Sequence, residues 1–302
     1  MKNASSIIKG IIYTIIAIVL ISILTGYLKN NDKETTMTLI SYKINDSKTY
    51  RTVDYNLDMV DNIIIRGKSE GIVIEPTAEP GDITVELRGS GWNIKNEALI
   101  QLRGSELSVK VPDHTGISFG SRGIVIRVPA DMNKENLNIQ GETYSGSIKA
   151  AGFGCDKLKL TSKSGSIKIA GINAENISLK SISGSIAASD SESPVSCNSN
   201  SGSINLEGAF NRINVKSTSG SIKICDSIKL IADSFIESTS GSVKVALPSD
   251  SDFRLTYKTS SGSYNSEFDG TRGGKSGSTY IGTGSVNLNI KTRSGSIKLE
   301  KI

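Results

Sequence analysis

The sequence has little of the chemistry that most enzymes need. It holds one histidine and three cysteines, and aromatics make up only 5% of its 302 residues. Cys155, Cys197 and Cys225 are an odd, sparse set, so they are no disulfide framework. With no Cys-x-x-Cys pair and no partner histidines, they are no metal centre either. Cys197 falls on an inward apolar position, where a free thiol behaves as a small hydrophobe. The single histidine, His114, reads as a polar loop residue, and it precedes the Gly116-Ile117-Ser118-Phe119-Gly120 stretch. That stretch matches the Gly-x-Ser-x-Gly elbow of serine hydrolases, but the elbow needs a strand, turn and helix with the histidine late in the chain. Gly274-Lys275-Ser276 is similar to the end of a phosphate loop, yet Asp269 stands where that loop needs glycine. Glycoside cleavage needs two carboxylates about 5–10 Å apart. Asp190 with Glu207, or Asp226 with Asp250, would meet only if loops of unequal length aligned. No catalytic, metal or cofactor site is therefore expected.

Long apolar runs are scarce too. Gly10–Leu28 is the one example, with no charged residue between Lys9 and Lys29. At about 1.5 Å per residue it reaches about 28 Å, near the hydrocarbon thickness of a bilayer. Lys2 and Lys9 precede it, which favours a cytoplasmic N-terminus. No Ala-x-Ala site closes the run, so an uncleaved anchor is expected over a cleaved signal peptide. No Leu-x-x-Cys lipoprotein motif is present. Residues 1–30 thus read as a cytoplasmic tip and transmembrane anchor, and 31–55 as a polar stalk. The expected location is the cell membrane, single-pass, with the bulk of the chain extracytoplasmic.

What the chain has in plenty is glycine, 30 residues, much of it in one recurring phrase. Ser-Gly-Ser-Ile stands at 145–148, 164–167, 183–186, 201–204, 219–222 and 294–297, with variants at 240–243, 261–264 and 284–286. The central glycines are 19, 19, 18, 18, 21, 21, 22 and 11 residues apart. A period near twenty marks a stacked repeat. Two and four residues after each glycine come apolar pairs such as Ile167 and Ile169. Seven and five residues before it come others such as Leu158 and Leu160. Spacing of two means strands with alternate side chains inward. Serine or threonine continues the inward phase three and one residues before the glycine, where stacked hydroxyls would bond along the axis. The phase then slips across Gly-Ser, as at a corner, where glycine tolerates positive φ. Each repeat is a strand, a Gly-Ser corner, a strand and a variable loop. No apolar 3.6 spacing is present, so helical repeats are excluded.

The fold class expected is all-β, a single-stranded parallel β-helix, right-handed, of about a dozen coils and roughly 50–60 Å at 4.8 Å per coil. Residues 137–302 hold the regular coils. Residues 56–136 hold less regular strands near 63–66, 72–75, 83–87, 99–102, 107–111, 124–128 and 137–139, forming irregular coils or a cap. Phe268–Tyr280 reads as a flexible excursion.

The net charge of +5 is uneven: residues 31–136 carry 13 basic and 16 acidic residues, residues 137–302 carry 19 and 14. Three residues after successive corner glycines stand Lys149, Lys168, Lys223, Lys244 and Lys298, with Asn287 in the same phase after Gly284. Four residues before stand Lys180, Lys216, Lys258 and Lys291. Stacking would turn these into two rows beside one corner, a possible polyanion-binding face. The plainer reading is that they keep strand faces soluble and guard against edge pairing. No aromatics interleave with the lysines, which argues against nucleic acid.

Ile124-Val125-Ile126-Arg127-Val128-Pro129-Ala130, followed by Leu137-Asn138-Ile139 and the Gly-Ser-Ile coils, resembles the bacterial putative-adhesin family, which includes membrane-anchored LiaG-like proteins. The similarity spans about residues 55–302. It implies a β-helix displayed at the cell envelope and brings no catalytic residues. The function expected is non-enzymatic: a surface that binds an anionic envelope polymer or a partner protein. The LiaG-like resemblance implies an alternative, an accessory protein that contacts a membrane sensor in an envelope-stress response. A polysaccharide-active enzyme is the third reading, because β-helices host such enzymes.

Overall fold

A computed structural model describes residues 49–77, 81–93, 97–112, 120–129, 136–268 and 274–302. The expected anchor Gly10–Leu28, the stalk up to residue 48, His114 and residues 116–119 of the elbow-like stretch lie outside the described residues. Among the described residues no helix is long and apolar enough to cross a membrane. The helical element among them is one 3-10 turn at Leu57–Met59.

The rest is strand and turn. The N-terminal part holds β1 (Thr49–Asn56), β2 (Asn62–Arg66), β3 (Gly71–Thr77), β4 (Asp82–Arg88), β5 (Leu99–Arg103), β6 (Glu106–Lys110) and β7 (Gly123–Pro129). The repeats supply β8 (Asn138–Thr143), β9 (Ile148–Ser162), β10 (Ile167–Ser181), β11 (Ile186–Glu192), β12 (Val195–Ser199), β13 (Ile204–Ala209), β14 (Ile213–Ser217) and β15 (Ile222–Asp226). They continue with β16 (Ser234–Ser238), β17 (Val243–Leu247), β18 (Phe253–Thr259), β19 (Tyr264–Ser266), β20 (Ser276–Ile281), β21 (Asn287–Thr292) and β22 (Ile297–Lys301). β1 begins inside the expected stalk, and β20 takes up the last five residues of the expected excursion, where it pairs antiparallel with β18.

Two parallel ladders enclose the core. One holds the strands before each corner, the other the strands after it. The coils stack as β6/β7, β2/β3, β8/β9, β9/β10, β10/β11, β12/β13, β14/β15, β16/β17, β21/β22 and β18/β19. That is ten coils, not a dozen, and roughly 43 Å at about 4.8 Å per step. β9 and β10 run unbroken round the far bend from one ladder to the other. They turn at Gly152 (φ 71°) and Gly171 (φ 59°), a left-handed conformation that glycine adopts without strain.

The stack does not follow chain order at either end. The coil β2/β3 sits between β6/β7 and β8/β9, although residues 106–129 come after it in the chain. At the other end the last coil, β21/β22, inserts between β16/β17 and β18/β19. Gly284, at φ 77°, is therefore a loop residue and no corner. Antiparallel strands cover the ends: β4 on β7, β1 on β4, β5 on β6, and β20 on β18. Covered edges cannot template pairing with another chain.

The corner itself is built differently from the expectation. None of the stacked corner glycines has positive φ. Their requirement is close approach: a Cβ on Gly165, Gly184, Gly202, Gly220, Gly241, Gly295 or Gly262 would fall under 3.0 Å from the carbonyl oxygen of the glycine in the adjoining coil. The residue three before the glycine points inward and is buried, as at Ser162, Ser181, Ser238 and Thr292. Its hydroxyl accepts the glycine N–H of its own coil, at 2.9 Å for Ser162 and 3.1 Å for Thr292. It donates to the glycine carbonyl of the next coil, at 3.2 Å from Ser162 to Gly146 and 2.8 Å from Thr259 to Gly295. These hydroxyls bond to glycine backbone and not to one another, while that of Ser199, three before Gly202, has no hydrogen-bond partner. The serine just before the glycine, Ser164 or Ser219, is exposed. The chain turns outward one residue earlier than the alternation suggests.

Inside, apolar files run along the axis. Ile148, Ile167, Ile186, Ile204, Ile222, Val243 and Ile297 stack in register, all buried. Cys197 continues the file of Leu160, Leu179 and Val215. Burial pushes its thiol well above the ordinary range, and burial with nearby Asp156 pushes Cys155 up to about 12. Both stay protonated and unreactive. At the C-terminal end the files close on stacked rings, Tyr257 and Tyr264, with centroids 3.6 Å apart.

Asp226 is fully buried at the end of β15, an acid among the aliphatic and hydroxyl side chains of the repeats. Its Oδ1 accepts the Phe210 N–H at 2.8 Å and the Ile228 N–H at 3.4 Å, while Oδ2 has no hydrogen-bond partner. Burial raises its pKa to about 7 against the pull of these two N–H groups.

Two outcomes follow from the corner and from Asp226. Gly202→Ala should lower unfolding free energy by about 1–3 kcal/mol or more, as overpacking does. Ser201→Ala, one residue away and exposed, should stay within about 0.5 kcal/mol; equal denaturation midpoints for the two would contradict the close-approach account. The folded state binds the Asp226 proton more tightly than the unfolded chain does, where its pKa is about 3.9. Its contribution to stability is therefore greatest in acid, declines as pH rises from about 4, and levels off above about 7. Asp226→Asn keeps the Oδ1 acceptor, so its stability advantage over wild type should grow across that window. Parallel stability–pH curves would refute the assignment.

Candidate functional site

The lysines flagged from sequence do fall into axial files, but in a different order. On the second ladder the file reads Lys149, Lys168, Ala187, Asn205, Lys223, Lys244, Lys298 and Asn265. On the first it reads Thr161, Lys180, Asn198, Lys216, Glu237, Lys291 and Lys258. The inserted C-terminal coil moves Lys298 next to Lys244 and Lys291 next to Lys258. Asn287 leaves the corner file altogether, because it opens β21 on the other ladder.

Like charges about 4.8 Å apart repel unless something neutralises them. Glu300 does so for one pair. Its carboxylate lies 2.8 Å from Lys244 Nζ and 2.5 Å from Lys298 Nζ. The two ammonium groups hold the Glu300 carboxyl below its ordinary range, and Glu300 raises the pKa of Lys298. Glu237 lies 3.4 Å from Lys216. These ion pairs take three of the nine expected lysines, Lys216, Lys244 and Lys298, into a structural network.

Lys258 and Lys291 are different. Both are exposed, and with Arg293 they flank a groove of about 270 Å³ that also meets Glu237. Three cations face one carboxylate there, and that carboxylate is shared with Lys216. Arg293 was not among the sequence candidates. It stands two residues before the corner glycine, where the chain has already turned outward. The alternation also points that position outward, but it lies outside the two lysine rows, which stand four before and three after the glycine.

The N-terminal coils show the opposite economy. Arg122 pairs with buried Glu70 at 2.7 Å and lies over the Trp92 ring at 5.3 Å. Arg127 bridges Glu75 and Glu86, and Arg88 pairs with Glu86 at 2.6 Å. Cations in this part are consumed by its own acids.

Of the two acid pairs weighed for glycoside cleavage, Asp190 stands at a bulge next to the Ser189–Glu207 register, while Asp226 and Asp250 are committed elsewhere. Asp226 is sealed in the core, and Asp250 pairs with Lys229 at 2.8 Å. Gly274-Lys275-Ser276 leads into β20, a strand, and the Lys275 carbonyl accepts the Thr259 N–H. Among the described residues no group of three or more potential metal ligands comes together.

Comparison with known proteins agrees with this architecture. A crystal structure of a putative lipid binding protein from Parabacteroides distasonis shares the fold at TM-score 0.51 and 18% identity, over 83% of this chain and 96% of that one. A putative adhesin from Bacteroides fragilis aligns at TM-score 0.49 and 15% identity, over 83% and 97% of the two chains. A putative cell adhesion protein from Clostridium sporogenes aligns at TM-score 0.27 and 13% identity, over 84% and 100%. None of the curated proteins compared matches the sequence. The Toastrack DUF4097 family model matches residues 60–300, the whole run of stacked coils, and the chain belongs to that family.

Proposed function

We propose that the chain is a non-enzymatic binding module of the cell envelope, tethered by Gly10–Leu28 and carrying its coils outside the cytoplasm. The ligand read for it is an anionic envelope polymer. The observation that carries this reading is the cluster of Lys258, Lys291 and Arg293 around one groove. Three exposed cations with a single shared carboxylate form a local positive field that attracts polyanions. The neutralised lysines at 244 and 298 take no part. The tether rests on the length and apolarity of the N-terminal run.

Purified cell walls should retain the protein at low salt and release it as salt shortens the screening length. Lys258→Gln, Lys291→Gln and Arg293→Gln combined should abolish most of that retention. Lys298→Gln should leave it nearly unchanged, and Glu300→Gln, which frees two lysines, should raise it. Retention indifferent to the triple substitution would discard the basic groove as the site. The tether predicts that the full chain stays in the membrane fraction after alkaline extraction and that protease added outside intact cells digests the coils. Recovery in the soluble fraction would remove it.

A further inference from the structure

A second surface lies on the outward face of the first ladder, one outward position away from the lysine file. There Gln140, Lys159, Ser178, Ser196, Asn214 and Phe235 stand side by side across successive strands. The middle members, Ser178, Ser196 and Asn214, are short, while Lys159 and Phe235 at either side are long. Short residues between long ones leave a trough. Two grooves open along it, about 680 Å³ and about 270 Å³, and they share Asn176 and Ser178. Together they run from β2 to β16, roughly 30 Å at about 4.8 Å per strand, parallel to the axis of the stack.

The lining decides what could lie there. Asn176, Asn214, Ser178 and Ser196 offer donors and acceptors at once. Phe235 is 47% exposed on a strand whose other outward residues are polar, so an apolar ring face is presented at one end of the trough. In the larger groove Arg212 and Asp233 cancel, and Asp233 is already held by Asn287 at 2.8–3.1 Å. A polyanion finds no net charge in the larger groove, and at the smaller one Lys157 is paired with Asp156 at 3.5 Å, which leaves the single charge of Lys159 at its edge. An extended peptide finds no free backbone, because each ladder strand between the ends is paired on both sides. A saccharide chain fits both conditions. Its ring edges carry hydroxyls for the amides, its ring faces carry C–H groups for Phe235, and one pyranose is about as long as one step between coils.

We infer that this trough holds an extended, uncharged glycan chain, with a sugar ring over Phe235 and its neighbours hydrogen-bonded by Asn214, Ser196 and Asn176. The site uses other side chains than the basic groove and stands or falls independently of it. Calorimetry on the full chain in detergent, with β-1,4-linked oligomers of N-acetylglucosamine and of glucose as probes, tests it. At least one hexamer should bind, and its dimer should bind more than about tenfold more weakly, a difference of about 1.4 kcal/mol. Affinity should hold between about 0.1 and 1 M salt, where the screening length falls from about 10 to 3 Å. Phe235→Ala should weaken the hexamer about tenfold, and Ser196→Trp, an exposed substitution that fills the trough, should abolish binding while thermal unfolding stays unchanged. The triple substitution at Lys258, Lys291 and Arg293 should have no effect. Absence of hexamer binding overturns the inference, as does binding that neither Phe235→Ala nor Ser196→Trp changes from wild type. Binding that salt and the triple substitution remove would overturn it too, and would return the ligand to the basic groove.

Discussion

The whole stack depends on one contact, the corner glycine of each coil lying under the carbonyl of the next. No side chain fits between them, so any other residue would push the coils apart. The buried hydroxyl three residues earlier completes the joint, because it links its own glycine N–H to the carbonyl of the adjoining coil. An inward-facing polar group is costly unless bonded. Here the hydroxyl relieves the backbone of the same cost at the one place where the ladder bends. Repeats of such coils gain stability from neighbours and not from within.

Once the backbone is consumed by ladders and corners, function falls to outward side chains in axial files. What stands next to what in a file is decided by stacking order. The chain reverses that order at both ends, and the C-terminal reversal matters most for charge. It puts Lys291 beside Lys258 and brings Arg293 to the same groove, while it sets Lys298 and Lys244 around Glu300. Two lysines are thereby neutralised, and two others are concentrated with Arg293 in one groove. Antiparallel strands cover the first coil and, at the other end, the β18 edge, which limits templating there.

Much of the architecture was legible from period alone. The Ser-Gly-Ser-Ile phrase and the inward Ile, Val and Leu positions recur so strictly that strands, corners and parallel stacking follow from them. The irregular strands of the first half were legible as well, since turn residues punctuate them. The role of glycine was not, because a sequence shows that glycine is needed without saying whether φ or close approach requires it. The exposed serine before the glycine was misplaced for a related reason: alternation carries Ser164 or Ser294 inward, whereas the bend begins there, and nothing in its identity marks it. Gly284 imitated a corner by its neighbours, Ser285 and Val286.

The amino-acid order by itself determined that this is an all-β repeat protein with an aliphatic interior, inert thiols and a lysine-rich outward pattern. Local periodicity is enough for that, since each coil repeats the same inside-outside choice. Only the tertiary structure decided which coils touch. Insertion of a late coil between two earlier ones is a long-range pairing that short-range patterns do not encode. The Glu300 ion pairs and the basic groove exist only through that pairing and the register it imposes.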